Sequence, residues 1–320
     1  MTQTENGPRR SGRHRRRGEQ LMVPDAEFTS YYGRPVIKEP PWGTPDVAGY
    51  LFLGGLAGAS SVLAAGAQLS GYGELARTAK VAALGAISLS AVALVHDLGR
   101  PERFANMLRV FKPTSPMSVG SWLLSAYGPV AGAAAVSDLT GILPAAGTAA
   151  TLGAGLLGPA VATYTAALIC DTAVPGWHGA HREMPYLFAS SASCAAAGLG
   201  LLTQPPAAAR PARTLATLGA PAELVVKRLL LRRLGDLAEP YQTGRPGRLL
   251  RAAEVLTAGG LAGAVLGRRS RAVSALAGAS LLAASALTRV GVFEAGLASA
   301  RDPKYTIVPQ RRRRDRRGMN

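Results

Sequence analysis

Long apolar segments separated by short polar ones fill the middle of this chain, and polar, Arg-rich segments lie at both ends. A helix needs about 20 mainly apolar residues to cross the hydrocarbon core of a membrane. Segments close to that length occur at residues 47–69, 75–95, 119–139, 145–170, 186–203, 215–231, 249–266 and 272–298. The pattern therefore predicts an all-α, polytopic membrane bundle of about eight transmembrane helices.

The sixth predicted span is the least apolar, because Glu223, Lys227 and Arg228 interrupt it. Lys and Arg concentrate in the cytoplasmic loops of membrane proteins. With the N-terminus inside, the inner loops hold more Lys and Arg than the outer loops, and both basic tails lie inside only if the number of spans is even. We therefore retain the sixth span and expect both termini on the cytoplasmic side of the cell membrane.

Three regions are expected: a basic, Pro-rich cytoplasmic tail at 1–45, the eight-helix membrane domain at 46–300 and a basic cytoplasmic tail at 301–320. Hydrophobic residues make up 48% of the chain but aromatic residues only 6%, and 38 residues are glycine. Because lipid provides no hydrophobic drive between helices, small residues that allow close backbone approach are typical of membrane bundles.

The formal net charge of +17 resides largely in the tails, at 9–17 and 311–317. A strongly basic chain can indicate nucleic-acid binding. These runs contain no interleaved aromatic residues, and long apolar segments separate them. We therefore expect anionic membrane lipids, and not nucleic acid, as their partner.

Candidate ligands for a metal cluster or a haem are few. Cys170 and Cys194 lie in apolar segments and are too few to hold an iron–sulphur cluster. A b-type haem in a membrane needs facing histidines, and His96 with His178 is a pair on the inner side. His178 follows Pro-Gly-Trp in a loop, so we expect no haem in this chain, and a b-haem cytochrome anchor is kept as an alternative.

Polar residues crowd the ends of the second and fourth spans, which lie on the same, inner side. A quinone headgroup is a flat ring with two carbonyls that needs hydrogen-bond donors when oxidised and a proton acceptor when reduced. We expect His96 and Asp97 to relay protons, and Tyr50 and the helix start at Ser118 to donate hydrogen bonds. The predicted quinone-binding or proton-relay residues are Tyr50, His96, Asp97, Arg100, Ser118, Asp171 and His178.

Further polar residues of these inner loops are expected to dock a partner protein or to contact lipid phosphates. They are Arg103, Asn106, Arg109, Lys112 and Arg182. Arg100 is equally suited to such a contact and to orienting the headgroup.

Four charged residues within the spans form a separate set, because charges at membrane depth usually face the protein interior and pair there. They are Glu223, Glu254, Arg289 and Glu294. Glu223 and Lys227 have the i,i+4 spacing of a local ion pair on a helix. Arg289 has no such neighbour, so an interhelix salt bridge and a proton-conducting step both remain open for it.

Several segments together carry a family resemblance. They are Trp42-Gly43, 50–58 (YLFLGGLAG), 97–107 (DLGRPERFANM), 112–122 (KPTSPMSVGSW), 172–177 (TAVPGW) and 302–305 (DPKY). Over about residues 40–310 the chain resembles the NrfD or polysulphide reductase C-type quinol-interacting membrane subunits, and the Asp-Leu-Gly-Arg-Pro block at 97–101 is the most specific part.

The resemblance implies a haem-free anchor of eight or nine helices, docked to a four-cluster iron–sulphur protein and a molybdenum or tungsten catalytic subunit. Formate dehydrogenase-like or polysulphide reductase-like complexes are of this kind. Quinol chemistry in the family lies near the loop after the second helix, which the charge pattern places in the cytoplasm.

We therefore expect a subunit that passes electrons between a partner's cluster and a quinone, expected to be menaquinone, and that has no catalytic apparatus for the partner's substrate. Two alternatives from other classes remain. One is a proton-linked or small-molecule transporter, which also places charges within its spans. The other is a passive anchor that binds no quinone.

Overall fold

The computed structural model of the protein describes residues 37–40, 42–97 and 106–317, without the side chains of 44, 45 and 311–317. These residues form helices joined by short turns, and this part of the chain contains no strand. The helices are α1 Thr44–Leu69, α2 Gly73–Asp97, α3 Pro116–Thr140, α4 Pro144–Cys170, α5 Pro175–Gly179, α6 Met184–Thr203, α7 Arg210–Leu234, α8 Glu239–Gln242, α9 Gly244–Leu266, α10 Arg271–Arg301 and α11 Lys304–Arg317.

Among the described residues, seven segments are long and apolar enough to cross a membrane. They are Asp46–Leu69, Gly73–Asp97, Pro116–Thr140, Pro144–Cys170, Met184–Thr203, Gly244–Arg269 and Arg271–Arg301. Each contains one of the predicted spans. The expectation of an all-α, multi-pass membrane bundle is thereby confirmed.

The sixth predicted span lies in α7, which is 25 residues long but is not among the seven apolar segments. It runs antiparallel to α6: Ala212 lies beside Gly200 near one end of the pair, and Arg233 pairs with Glu183 at the other. Since α6 itself is long enough to cross a membrane, α7 extends over the same depth. The described residues therefore contain eight long helices in the bundle.

The side chains of α7 explain why its composition is misleading. Glu223 faces the bundle interior and is only 3% exposed, whereas Leu218 and Val225 are exposed on the outer face. Arg228, which is exposed, and Arg232 and Arg233 all lie in the last two turns. An apolar outer face with interior or terminal charges is compatible with lipid, even though the average over the whole helix is polar.

The alternation of the long helices defines two ends of the bundle. The near end contains the start of α1, the ends of α2, α4, α7 and α10, and the short helices α5 and α8. The far end contains the turns between α1 and α2, α3 and α4, α6 and α7, and α9 and α10.

Two pairs of glycines allow neighbouring helices to touch through their backbones. A Cβ added to Gly58 on α1 would lie 2.3 Å from the carbonyl oxygen of Gly158 on α4, and one added to Gly158 would lie 2.3 Å from that of Gly58. Gly198 on α6 and Gly278 on α10 approach each other in the same reciprocal way. Close backbone approach of this kind provides dispersion contacts that lipid cannot replace.

The segment predicted as a basic C-terminal tail is largely helical, as α11. Its first turn is attached to the near end by a salt bridge of 2.9 Å between Lys304 Nζ and Glu239 Oε1, and by the buried ring of Tyr305. The Lys304 ammonium lowers the pKa of Glu239, and hydrogen bonding to that carboxylate raises the pKa of Lys304. These contacts hold the basic helix at the end of the bundle that carries the candidate site.

Candidate functional site

A cleft of about 100 Å³ opens at the near end between α1, α2, α3 and α4. Its walls are mostly apolar, and two of the predicted site residues, Tyr50 and Asp97, line it. The other lining residues are Trp42, Val47, Leu94, Met107, Met117, Gly120, Ser121, Leu124, Tyr164, Leu168 and Ile169. Apolar walls with a few polar groups are the usual lining of a small-molecule site.

Aromatic rings form part of the cleft wall. Tyr50 on α1 and Tyr164 on α4 meet edge to face, with ring centroids 6.3 Å apart. Gly120 on α3 makes room for this arrangement, because a Cβ there would lie 2.5 Å from the Tyr164 ring. The Trp42 ring stacks on Trp177 of α5 at 5.8 Å. The wall is therefore fixed by contacts among four helices, α1, α3, α4 and α5.

Trp177 connects this wall to the bundle core. Its indole Nε1 donates a hydrogen bond of 3.0 Å to the Val292 carbonyl, and its ring lies 5.4 Å from that of Phe293. Gly296 on α10 lies directly beneath the indole and leaves no space for a Cβ. The segment 172–177 therefore serves to hold α5 and the cleft wall in place.

Three polar groups face or adjoin the cleft. Asp97 terminates α2 and supplies a carboxylate. Ser121 Oγ donates to the Met117 carbonyl at 2.8 Å, and its oxygen lies 3.7 Å from the Met107 sulphur. The phenol oxygen of Tyr164 is enclosed and has no hydrogen-bond partner. A buried polar atom without a partner is costly, and often marks a place where a ligand or water binds.

His96 lies at the rim of the cleft and not among its lining residues. Its side chain is 76% exposed, and its Nδ1 lies 3.2 Å from Oδ2 of Asp46 in the first turn of α1. The proton-relay role of His96 stays a prediction. The His96 side chain is therefore in contact with water beside the cleft.

Ser118 has a structural task at the start of α3. Its Oγ donates to the Val110 carbonyl and accepts from the Lys112 amide, both at 3.0 Å, while its own amide is capped by Ser115 Oγ at 3.4 Å. Ser118 is absent from the cleft lining, and Ser121, one turn later, lies there instead. The hydrogen bonds of Ser118 thus hold the loop before α3 in its conformation.

Asp171 and His178 line a second pocket of about 560 Å³ at the near end, together with His181 and Cys170. His178 Nδ1 lies 3.2 Å from the Cys170 carbonyl, and the His178 and His181 rings are 6.0 Å apart. Tyr164 lines both this pocket and the cleft. The predicted quinone-binding residues that line a cavity are therefore divided between two cavities, and Tyr164 lies between them.

A family model described as polysulphide reductase, NrfD, matches residues 36–230, which is more than half of the chain. This chain belongs to the NrfD family. Members of this family are membrane subunits of polysulphide reductase-like complexes and typically associate with iron–sulphur and molybdenum catalytic subunits. No curated protein matches the chain.

The matched region of this NrfD chain contains the cleft, the second pocket and almost all of α7. Of the charged loop residues predicted to act at these sites, Arg100 and Arg103 lie outside the described residues. Asn106, Arg109, Lys112 and Arg182 are exposed at the near end. Their predicted contact with a partner is compatible with that exposure and stays a prediction.

Arg289 is fully buried, the most completely buried charged side chain among the described residues. It forms no salt bridge within 4 Å among the described residues. Its Nη2 donates to the Phe188 carbonyl at 2.7 Å, and its guanidinium lies 3.7 Å above the Phe188 ring. Its Nε and Nη1 have no hydrogen-bond partner. Gly55 on α1 leaves the space that the Arg289 side chain occupies.

The expected local pair of Glu223 with Lys227 is wrong. Glu223 accepts hydrogen bonds from Thr288 at 2.8 Å and Thr257 at 3.5 Å, both on other helices. Lys227 reaches across to Glu254 on α9 at 3.0 Å. The interior position of Glu223 favours hydroxyl donors on α9 and α10, so interhelix contacts replace the pair within α7.

The remaining intramembrane charge, Glu294, lies 3.4 Å from Arg245 at the near end.

Two important cleft residues, Tyr164 and Ser121, were not among the predicted site residues. Tyr164 is the one aromatic residue in the long, small-residue segment of α4, at 144–170, and that isolation is the signal available in the sequence.

Proposed function

We propose that this NrfD chain is the quinone-binding membrane subunit of a molybdenum- or tungsten-dependent oxidoreductase. In this role it passes electrons between a partner's iron–sulphur protein and the membrane quinone pool. The observation that carries the proposal is the cleft at the near end, where an unpartnered phenol and a carboxylate lie between apolar and aromatic walls.

The residues of the cleft suit a quinone such as menaquinone. Aromatic rings at Trp42, Tyr50 and Tyr164 match a flat headgroup. The enclosed Tyr164 hydroxyl has a hydrogen bond to donate to a carbonyl oxygen. Leu94, Leu124 and Leu168 provide apolar surface for the start of an isoprenoid tail. The cleft thus offers the donor and the dry surface that an oxidised headgroup needs.

Reduction of a quinone to a quinol consumes two electrons and two protons. An iron–sulphur cluster of the proposed partner would be the source of the electrons. This chain handles the two protons: Asp97 donates one to a quinone oxygen, and the Tyr164 phenol donates the other at the opposite carbonyl and recovers a proton from solvent through the second pocket, which it also lines. His96, exposed beside Asp46, accepts protons from water and returns the carboxyl of Asp97 to its protonated state. Oxidation of quinol uses the same groups in reverse.

In this role the near end faces the cytoplasm, and the partner binds to its surface. The basic residues Arg109, Lys112 and Arg182 are exposed there, and α11 brings the basic C-terminal segment to the same end. A formate dehydrogenase-like or polysulphide reductase-like catalytic subunit is the expected source or acceptor of the electrons. The NrfD chain itself is proposed to hold no haem and no iron–sulphur cluster.

Affinity purification of the full chain from its native membrane tests this function. An iron–sulphur protein should co-purify, and the assembled complex should reduce or oxidise a menaquinone analogue. A stoichiometric b-haem spectrum, or transport of a solute by the chain alone in vesicles, would contradict the proposal.

His96 and Asp97 should differ in effect although they are neighbours in the sequence. Asp97→Asn removes the carboxylate that lines the cleft, so quinone turnover by the assembled complex should fall about 100-fold. His96→Gln should lower it only several-fold, because water reaches the rim without that side chain. Steady-state turnover at matched complex concentration measures both. Equal losses would place His96 inside the site.

The orientation can be measured with topology reporters. Fusions at residues 20, 236 and 318 should report the cytoplasm, and fusions at 142 and 207 should report the opposite side. The reporters at 207 and 236 bracket α7, and the same result for both would mean that α7 does not cross the membrane.

A further inference from the structure

The far end of the bundle carries a cluster of arginines with no acidic residue beside them in the sequence. Its members are Arg210, Arg213, Arg268, Arg269 and Arg271. They lie at the start of α7 and between α9 and α10. The segments 204–222 and 255–293 contain no Asp or Glu. The helices that carry this far-end arginine cluster therefore supply no counter-charge at that end.

The other acidic residues that the structure describes at the far end are already engaged. Asp138 on α3 binds Lys80 at 2.8 Å and Arg77 at 3.0 Å. Glu74, at the start of α2, acts electrostatically on Arg77. The part of the chain that the structure describes therefore leaves this cluster without a carboxylate partner at the far end.

Arg213 illustrates the imbalance. Its Nη1 donates to the Pro206 carbonyl at 3.3 Å, but its Nε and Nη2 are enclosed without hydrogen-bond partners. The like charge of Arg268 acts on it unfavourably. A guanidinium in this setting gains stability from a nearby anion.

A groove of about 540 Å³ begins beside this cluster and runs between α1 and α7. Val62, Leu63, Leu215 and Leu218 form much of its length. At its far-end mouth the polar lining residues are Arg210, Ser70 and Tyr72. The groove contains no carboxylate and no histidine, so it lacks the proton-exchanging groups of the cleft.

We propose that this groove binds an anionic phospholipid. One acyl chain lies along the apolar wall, and the phosphate accepts hydrogen bonds from Arg210 with Ser70 or Tyr72 beside it. The neighbouring arginines add positive potential that favours an anionic over a zwitterionic headgroup. The site lies in the leaflet opposite the quinone cleft and is independent of the proposed redox function.

Native mass spectrometry of the full chain in detergent, with dioleoyl phosphatidylglycerol or dioleoyl phosphatidylcholine added, tests the proposal. Arg210→Gln should lower retention of phosphatidylglycerol on the order of tenfold, since one charge-assisted hydrogen bond is lost, and change phosphatidylcholine little. Arg269→Gln is the matched control, because Arg269 is exposed in the same cluster but does not line the groove. Equal losses for the two variants would indicate that the summed positive potential of the arginine cluster attracts the lipid. That result would overturn the proposed site at Arg210.

A second variant tests the acyl-chain part. Gly66 lines the groove, and no atom lies within 4 Å of a Cβ placed there, so Gly66→Leu fills the groove without disturbing α1. Retention of both lipids should fall several-fold, and unchanged retention would overturn the assignment. Inorganic phosphate should not displace phosphatidylglycerol, whereas displacement would identify a free-anion site instead.

Discussion

Tyr164→Phe is expected to lower quinone turnover by the assembled complex about 100-fold or more while leaving assembly intact. The substitution removes an enclosed hydroxyl that has no partner within the protein, so the fold loses no hydrogen bond. General acid–base groups typically contribute factors of 10² to 10⁴ to a rate. The measurement is steady-state reduction or oxidation of a menaquinone analogue by purified complex, with subunit content checked on a gel.

Tyr186→Phe is the control, because Tyr186 is exposed at the same end of the bundle and lines neither cavity. Gly120→Ala provides a second route to the same residue, since the new Cβ would displace the Tyr164 ring. It should raise the KM for the quinone and lower kcat together. Full activity of Tyr164→Phe would remove the phenol from the proposed chemistry.

Gly58→Leu is expected to prevent the bundle from forming. The added side chain would collide with backbone atoms of α4 at Gly158, and backbone cannot move aside as a side chain can. Overpacking of a close contact costs about 3 kcal/mol or more when no side chain can yield. Loss of the monodisperse species in detergent, and a lower thermal unfolding temperature of any remaining protein, are the measurements.

Gly85→Leu is the matched control on α2, because nothing lies within 4 Å of a Cβ at that position. It should leave the yield and the unfolding temperature nearly unchanged. Equal behaviour of the two variants would show that α1 and α4 do not depend on the Gly58–Gly158 contact.

Much of the fold was predictable because a membrane sets a fixed length for each apolar segment. The cleft was predictable in part: Tyr50 and Asp97 were expected at a common site, and both line it. Ser118 was expected as a donor from its place at a helix start, but the turn before α3 uses its hydroxyl. Periodicity gives the position of a residue on a helix, but not the partners that its side chain finds.

By itself, the sequence determined the class of the molecule: an all-α membrane bundle with basic ends and a polar block after its second helix. Only the tertiary structure decided how α7 is accommodated, since the interior position of Glu223 depends on hydroxyls from α9 and α10. It also decided that Lys227 binds Glu254 and that Tyr164 stands between two cavities. The physical reason is that apolar length is a local property of the chain, whereas a counter-charge or an open space is created by residues distant in sequence.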